Sequence, residues 1–437
     1  MKVVQLAGLY FLGTEEYNSS NNMMATVVFK EKIDGEKLFP SYRKLILQNP
    51  LLQTRIAERP EQNMFAWERF SPDEIEYFLR FEQEEFDRRY DKAAVLRQYY
   101  PTNSRLPFYI TIVDDRTAVI CMNHVLANGR SFIFWIERWL QYYAGGEAAG
   151  SVEPKAKAAF RQKLAGRLKR AKAFVWLPVF LVEYMCKAGK KAAHNTVDLS
   201  YGKQPGPNNS YALKAYSFSR EDTQDILRLC KRNNTTLTEH MCSILAESFL
   251  QYSHQCGHDK KRVLISMPMD MQPIRPYTPE NTYGNLIASL PAQFFGGKAM
   301  EPQIKAVFKW FRRGIPYSLS CLAAAAAFSY EKTKRQCLTL CQKTMPKRSP
   351  LGDFSLTYSN LGVITSPVME KLVDAAYFYF KPQTILVVSS TLAGRLHIKV
   401  SLTKDLYDAE EVFALFDQML SLESLLQAEQ KSGEEQH

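Results

Sequence analysis

The stretch that decides the fold runs from Ala118 to Leu140 and reads "AVICMNHVLANGRSFIFWIERWL". Its first five residues form a short apolar run, as a buried strand does. Its last part places apolar residues at 132, 135, 136, 139 and 140, continuing to 143, which is the spacing of one helical face. Between them lies a short loop that holds His124, Asn128 and Gly129. A strand, a loop and a helix in that order set an imidazole at a strand end, where it can face a cleft. An ordinary histidine pKa of about 6.5 suits a general base near neutral pH. Asn128 can hydrogen-bond across the loop, and Gly129 lets the backbone turn without a side chain in the way. The plainer reading is a loop histidine satisfied by a backbone carbonyl, and the loop alone leaves both readings open.

Outward from this stretch the strand–helix alternation continues. "LPFYITIVDD" at 106–115 and "TAVICM" at 117–122 flank Asp114-Asp115-Arg116 and predict a hairpin. "ATVVFKE" at 25–31 predicts a strand. "DGEKLFPSYRKLILQNPLLQTRI" at 34–56 predicts an amphipathic helix that stops at Asn49-Pro50. Gly145 and Gly146 close the helix that follows the His124 loop. Residues 1–150 thus form an N-terminal subdomain carrying that loop. Residues 151–212 form a connector, bounded by turn-rich "GGEAAGSVEP" and by "GKQPGPNNS" at 202–210. From 213 to 437 a C-terminal subdomain resumes the alternation. Ser219 with Asp222, and Thr236 with Glu239, have the spacing of capping boxes. "RVLISMPMD", "NLIASL", "FSLTYSN", "AAYFYF", "TILVVSS" and "LHIKVSL" are strand candidates, and "CLAAAAAFSYEKTKRQCLTLC" is a helix candidate. The fold class expected is α/β, in two halves joined by a crossover.

Composition excludes several classes. Of 437 residues 46% are apolar, with 26 Phe and 23 Tyr, enough to bury a sizeable core rather than remain disordered. Eight cysteines form no CxxC pair, which fits free thiols in a reducing cytoplasm. The N-terminal "MKVVQLAGLYFLGTEEYNSS" has a thin basic region and an apolar stretch broken by Gln5 and Gly8, so a first strand is expected there rather than a secretion signal. No stretch reaches the roughly 18 to 20 apolar residues that span a bilayer. The localisation expected is cytoplasmic.

The net charge of +11 is local. From Lys155 to Lys191 there are 11 basic residues against one acid, Glu183, so that this segment carries +10 and the rest of the chain +1. The segment has two readings. One is an interfacial helix on an anionic membrane surface, at the inner face of the membrane, with Trp176 and the apolar "FVWLPVFLV" beside the basic residues. The other is a crossover helix packed on the body with a solvated basic face. Pro178 is expected to kink or end any helix through the apolar run. No zinc finger, basic zipper or RNA-binding aromatic signature is present, so no nucleic-acid partner is expected. "HQCGH" at 254–258 spaces two histidines like metal ligands, but Gly257 points to a helix end, and no metal site is assigned. Cys337 and Cys341 have the spacing of one buried helix face. Neither a Gly-rich phosphate loop nor a serine nucleophile elbow occurs.

The loop "NHVLANG" resembles the HHxxxDG signature of the chloramphenicol acetyltransferase-like superfamily, which includes condensation domains, wax ester synthases and alcohol acetyltransferases. Three further stretches resemble the family in order. They are the helix ending in Asn49-Pro50, the segment "MPMDMQPIRPYTPENTYGNLIASL" with Arg275, Gly284 and Asn285, and "FSLTYSNLG" with Ser359, Asn360 and Gly362. The resemblance implies two chloramphenicol acetyltransferase-like subdomains in a V with a substrate tunnel between them and the His124 loop at its middle. It implies an acyltransferase in which His124 takes the proton from an acceptor hydroxyl, or an amine, that attacks a thioester carbonyl. The donor implied is acyl-coenzyme A or an acyl carrier protein thioester, with no tightly bound cofactor and no metal. Asn285, Ser359 and Asn360 are candidates for binding substrate or steadying the oxyanion. Two positions depart from the signature. Asn123 stands for the first histidine, and Asn128 for the aspartate that holds the loop, commonly through an arginine; Arg275 is the candidate partner here. The late DFGWG motif of the plant branch is absent, and the chain has no room for adenylation and carrier domains, so a stand-alone enzyme that acylates a hydroxyl is expected, a lipid-like acceptor among the candidates. An amide-forming condensation enzyme and a non-catalytic homologue that binds an acyl carrier are the alternatives.

Overall fold

A computed structural model describes residues 22–59, 64–88, 103–146, 173–184, 186, 195–200, 210–258, 260–270, 287–319, 354–380 and 384–427. In chain order the elements are β1 (Asn22–Phe29), α1 (Gly35–Gln48), β2 (Thr54–Arg59), β3 (Met64–Arg69), α2 (Pro72–Asp87), β4 (Phe108–Ile112), β5 (Thr117–Asn123) and α3 (Gly129–Tyr143). Helix α4 covers 173–184. There follow β6 (Tyr211–Ser217), α5 (Arg220–Arg232), α6 (Leu237–Gln255), β7 (Arg262–Asp270), β8 (Ile287–Phe295) and α7 (Met300–Arg312). The last are β9 (Leu356–Ile364), α8 (Pro367–Leu372), β10 (Val373–Tyr379), β11 (Leu386–Leu392), β12 (Arg395–Thr403), α9 (Ala409–Met419) and α10 (Leu422–Gln427).

The periodic patterns become these elements for identifiable reasons. Helix α3 buries Phe132, Trp135, Ile136, Trp139, Leu140 and Tyr143, the stripe that its spacing predicts. Each such side chain contributes roughly 1.5–3 kcal/mol by leaving water, and the Trp139 indole N–H is satisfied by the Ser41 hydroxyl at 3.1 Å. Helix α1 stops at Gln48 before Pro50, as the proline requires. The capping boxes of Ser219 with Asp222 and of Thr236 with Glu239 open α5 and α6. Strands β4 and β5 pair antiparallel around Asp114–Arg116. Helix α6 ends at Gln255, and Gly257 follows with φ of 71°, so "HQCGH" is a helix end.

Two main sheets carry the chain. The first has the order β10-β1-β5-β4, and the second β6-β12-β11-β9-β7-β8. Helices α1 and α3 pack on the first through Tyr42, Leu45, Trp135 and Trp139. Helices α5, α6 and α9 pack on the second through Ile226, Phe249 and Phe416. The sheets do not respect the division expected at residue 213. Strand β10 comes late in the chain yet pairs antiparallel with β1, Met24 opposite Tyr379 and Thr26 opposite Tyr377. Its Phe378 meets Phe132 of α3 edge-on at 6.1 Å. On its other face β10 lies against β12: Arg395 bonds Asp374 at 2.9 Å, and Lys399 sits 5.5 Å from the centres of both the Tyr377 and Tyr379 rings. The late strands thus fasten one half to the other, and their ends converge on the loop after β5.

The two halves are joined in sequence by α4. It packs Leu177, Phe180 and Tyr184 against Leu290, Trp310 and Ile315. Helical backbone runs from 173 to 184 through Pro178, so the proline does not end the helix. Pro178 lies on the exposed side of the helix. The helix expected at 321–341 with its Cys337/Cys341 pair, and the expected N-terminal strand, lie outside the described residues.

Candidate active site

The His124 loop is buried along its length: Val125, Leu126 and Ala127 are fully enclosed, Asn128 is 1% exposed and His124 6%. A buried loop must satisfy its own polar groups, and this one does. The Asn123 side-chain oxygen accepts from the Val125 N–H at 2.9 Å, and the Leu126 N–H bonds the Asn123 carbonyl at 3.1 Å. Asn123 therefore shapes the turn from the position where the signature has its first histidine.

His124 is fixed by its neighbours. Its Nδ1 lies 2.9 Å from the Ala127 carbonyl oxygen. A carbonyl only accepts, so Nδ1 carries the proton and Nε2 holds the basic lone pair. The ring meets Phe380 edge-on at 5.8 Å, just beyond the end of β10. Burial pushes its pKa down to about 4, against a smaller upward pull from the Ala127 carbonyl, so the imidazole is neutral at pH 7. The ring is enclosed rather than set in an open cleft.

Asn128 has two structural duties. Its side-chain oxygen accepts from the N–H and the hydroxyl of Ser131, both at 2.9 Å, which caps α3. Its side-chain N–H donates to Asp270 Oδ1 at 3.1 Å. Asp270 closes β7, so this bond ties the loop of one sheet to a strand of the other. Expectation placed Arg275 there; Arg275, Gly284 and Asn285 lie outside the described residues, and the partner on view is a carboxylate. The polarity follows from the residue at 128: an asparagine amide can donate to an acid, which an aspartate cannot do. Sequence reasoning quoted Asp270 within "MPMD" and gave it no role. Its only signal was a lone carboxylate at the end of the strand "RVLISMPMD".

Gly129 is needed for space. Its backbone is ordinary helix, but a Cβ there would lie 2.8 Å from Leu361 Cδ2 of β9. The turn that does need left-handed backbone is at Gly362, with φ of 72°, where a Cβ would lie 2.8 Å from Arg130 Nη2. So β9 bulges where it meets the first turn of α3. Asn360 makes that bulge: its oxygen accepts from the Gly362 N–H at 2.7 Å, and its N–H donates to Thr238 Oγ1 at 2.9 Å. The amide oxygen and one amide N–H thereby shape the bulge. Ser359, half-buried on the same strand, makes no side-chain hydrogen bond among the described residues. A recess beside Asn123 is lined by Asn22, Thr54, Trp67 and Tyr109. Its polar groups serve the fold, with Asn22 bonded to the Tyr109 hydroxyl at 3.0 Å and Thr54 to the Leu51 carbonyl at 2.7 Å. Among the described residues no three His, Cys, Asp or Glu gather as metal ligands.

A histidine loop after the central strand of one sheet, tied to strand ends of a second, calls for comparison with known structures. The first condensation domain of the CDA synthetase superposes with a TM-score of 0.59 at 11% identity, covering 98% of this chain and 95% of that one. The condensation domain of the Monacolin K polyketide synthase MokA gives 0.60 at 11%, covering 97% and 96%. This chain has the condensation-domain fold. That fold is chloramphenicol acetyltransferase-like, two α/β halves meeting in a V. The starter condensation domain of rhizomide synthetase RzmA, a variant solved in complex with C8-CoA, gives 0.60 at 10%, covering 96% and 93%. No protein-family model matches the sequence, and no curated protein does.

Proposed function

We propose that the protein transfers an acyl group from a thioester, acyl-coenzyme A or an acyl carrier protein, to an acceptor hydroxyl, with His124 as general base. The observation that carries this is the fixed tautomer of His124. Its Nδ1–H is spent on Ala127, so the one basic atom of the ring is Nε2, in a loop where strand ends of both sheets meet. The acceptor O–H gives its proton to Nε2 as its oxygen attacks the thioester carbonyl. The tetrahedral intermediate collapses with loss of thiolate, which takes the proton back from the imidazolium. A ring with a pKa of about 4 is a weak base in isolation. The imidazolium forms only beside a developing oxyanion, and in a water-poor site that opposite charge offsets the cost of burying it. Ser359 is the proposed oxyanion donor, and Asn285 belongs to the same proposal. Substrate enters through the tunnel that the fold leads us to expect between the halves.

Amide formation is the second reading, because an RzmA starter-domain variant was solved with both C8-CoA and Leu-SNAC. The same base serves either acceptor. The test is to incubate the protein with acyl-coenzyme A and acyl-carrier donors plus matched alcohols and amines, and to identify products by mass spectrometry. Esters are expected. Amides alone would move the assignment to condensation, and binding of donor without any product would mean a non-catalytic homologue.

A further inference from the structure

Helix α4 has two apolar faces and only one is covered. Ala173, Leu177, Phe180 and Tyr184 are buried against the body. The opposite side carries Phe174, Val175, Val179 and Val182, exposed by 44%, 73%, 49% and 64%. With Trp176, 37% exposed, residues 173–184 hold five of the nine exposed large apolar side chains among the described residues. The other four are scattered over separate elements and need no explanation. A cluster on one short helix does need one.

The chemistry around the cluster selects the occupant. The segment from Lys155 to Lys191 that contains this helix carries +10. Arg313 lies 3.7 Å from the centre of the Trp176 ring and 5.0 Å from that of Trp310, which Lys309 also meets at 5.2 Å. Arg313 and Lys309, the +10 of the segment's sequence and a tryptophan at the edge of the apolar face match an anionic lipid surface, whose acyl boundary takes apolar side chains and whose headgroups attract cations. A protein partner of the same area would have to bring an acidic rim of matching shape. Crossing the bilayer is a separate matter: among the described residues no helix is long and apolar enough to span it.

We infer that the exposed face of helix 173–184 docks the protein on the surface of an anionic bilayer. This goes beyond the proposed acyl transfer and does not depend on it.

The test is flotation of the full chain with phosphatidylcholine vesicles and with vesicles that also contain phosphatidylglycerol. The wild type is compared with Val175→Glu/Val179→Glu/Val182→Glu, whose three changes sit on exposed positions, and circular dichroism melting checks that the variant folds. The wild type is expected to float with the anionic vesicles, to be released by salt, and to lose about tenfold or more of that binding in the variant. Trp176 is the most exposed of the five tryptophans, so brominated lipid is expected to quench the wild type and spare Trp176→Phe. Absence of flotation, equal flotation on neutral vesicles, or equal flotation of the folded triple variant would each overturn the inference. A dimer seen by sedimentation in the wild type and lost in the variant, without vesicle binding, would give the face to a second copy instead.

Discussion

At the scale of the residue, everything turns on one imidazole held neutral. The Ala127 carbonyl sets the tautomer of His124, and an enclosure that removes water lowers its pKa. Its pH behaviour follows from that. A base must be deprotonated to act, and this ring is deprotonated above about pH 4. The acid limb of kcat/KM is therefore expected well below 6.5, the value of a solvated histidine. A pH–rate profile that falls by half near 6.5 would mean that the working histidine is solvated, against the enclosure described above.

At the scale of the element, the tie between Asn128 and Asp270 holds the loop against the second sheet. Asn128→Asp sets two carboxylates against each other, and we expect it to destabilise the protein by roughly 1–3 kcal/mol. Adding Asp270→Asn restores a donor facing an acceptor and is expected to recover most of the loss, while the oxygen at 128 still caps α3. Urea unfolding of the two variants reads this directly; a double variant no better than the single would show that the pair is not coupled. The same element marks how much the sequence tells. The stripe of α3 was legible because aromatic residues at period 3.6 have one explanation. Asn360 was legible as a notable residue but not as a structural one, because its partner Thr238 lies 122 positions away and no local pattern records it. Asp270 was illegible because one carboxylate at a strand end has no periodicity. The helix does not end at Pro178 because packing by Leu177, Phe180 and Tyr184 outweighs one missing hydrogen bond.

At the scale of the whole molecule, the halves are fastened where β10 crosses to the first sheet and lies on β12. The strand itself was readable from "AAYFYF"; its sheet was not, since sequence gives a strand's faces but not its neighbour. That seam contains a second enclosed histidine. His397 is 2% exposed, bonds Ser217 through Nδ1 at 2.9 Å, and meets Tyr377 edge-on at 5.3 Å. Its pKa is pushed down to about 4, by burial first and then by Arg395, with Asp374 opposing. His124 and His397 are both neutral in the fold and ordinary when unfolded, so below pH 6.5 the unfolded chain binds more protons. Stability is then full above about 6.5 and falls as the pH drops toward 4. Each ring contributes a loss of roughly 2 kcal/mol between pH 7 and pH 5. His397→Gln is expected to flatten that dependence, measured as the urea midpoint at the two pH values. An unchanged slope would mean that His397 titrates alike in both states.

The central claim is that His124 is the base of an acyl transfer, and thiol release tests it most directly. Wild type and His124→Ala would be given a panel of acyl thioesters with and without a pool of alcohols and amines. The account predicts release that requires an acceptor and falls by about 10²–10⁴ in His124→Ala, with donor binding retained. Acceptor-dependent release that proceeds equally in the variant would contradict it.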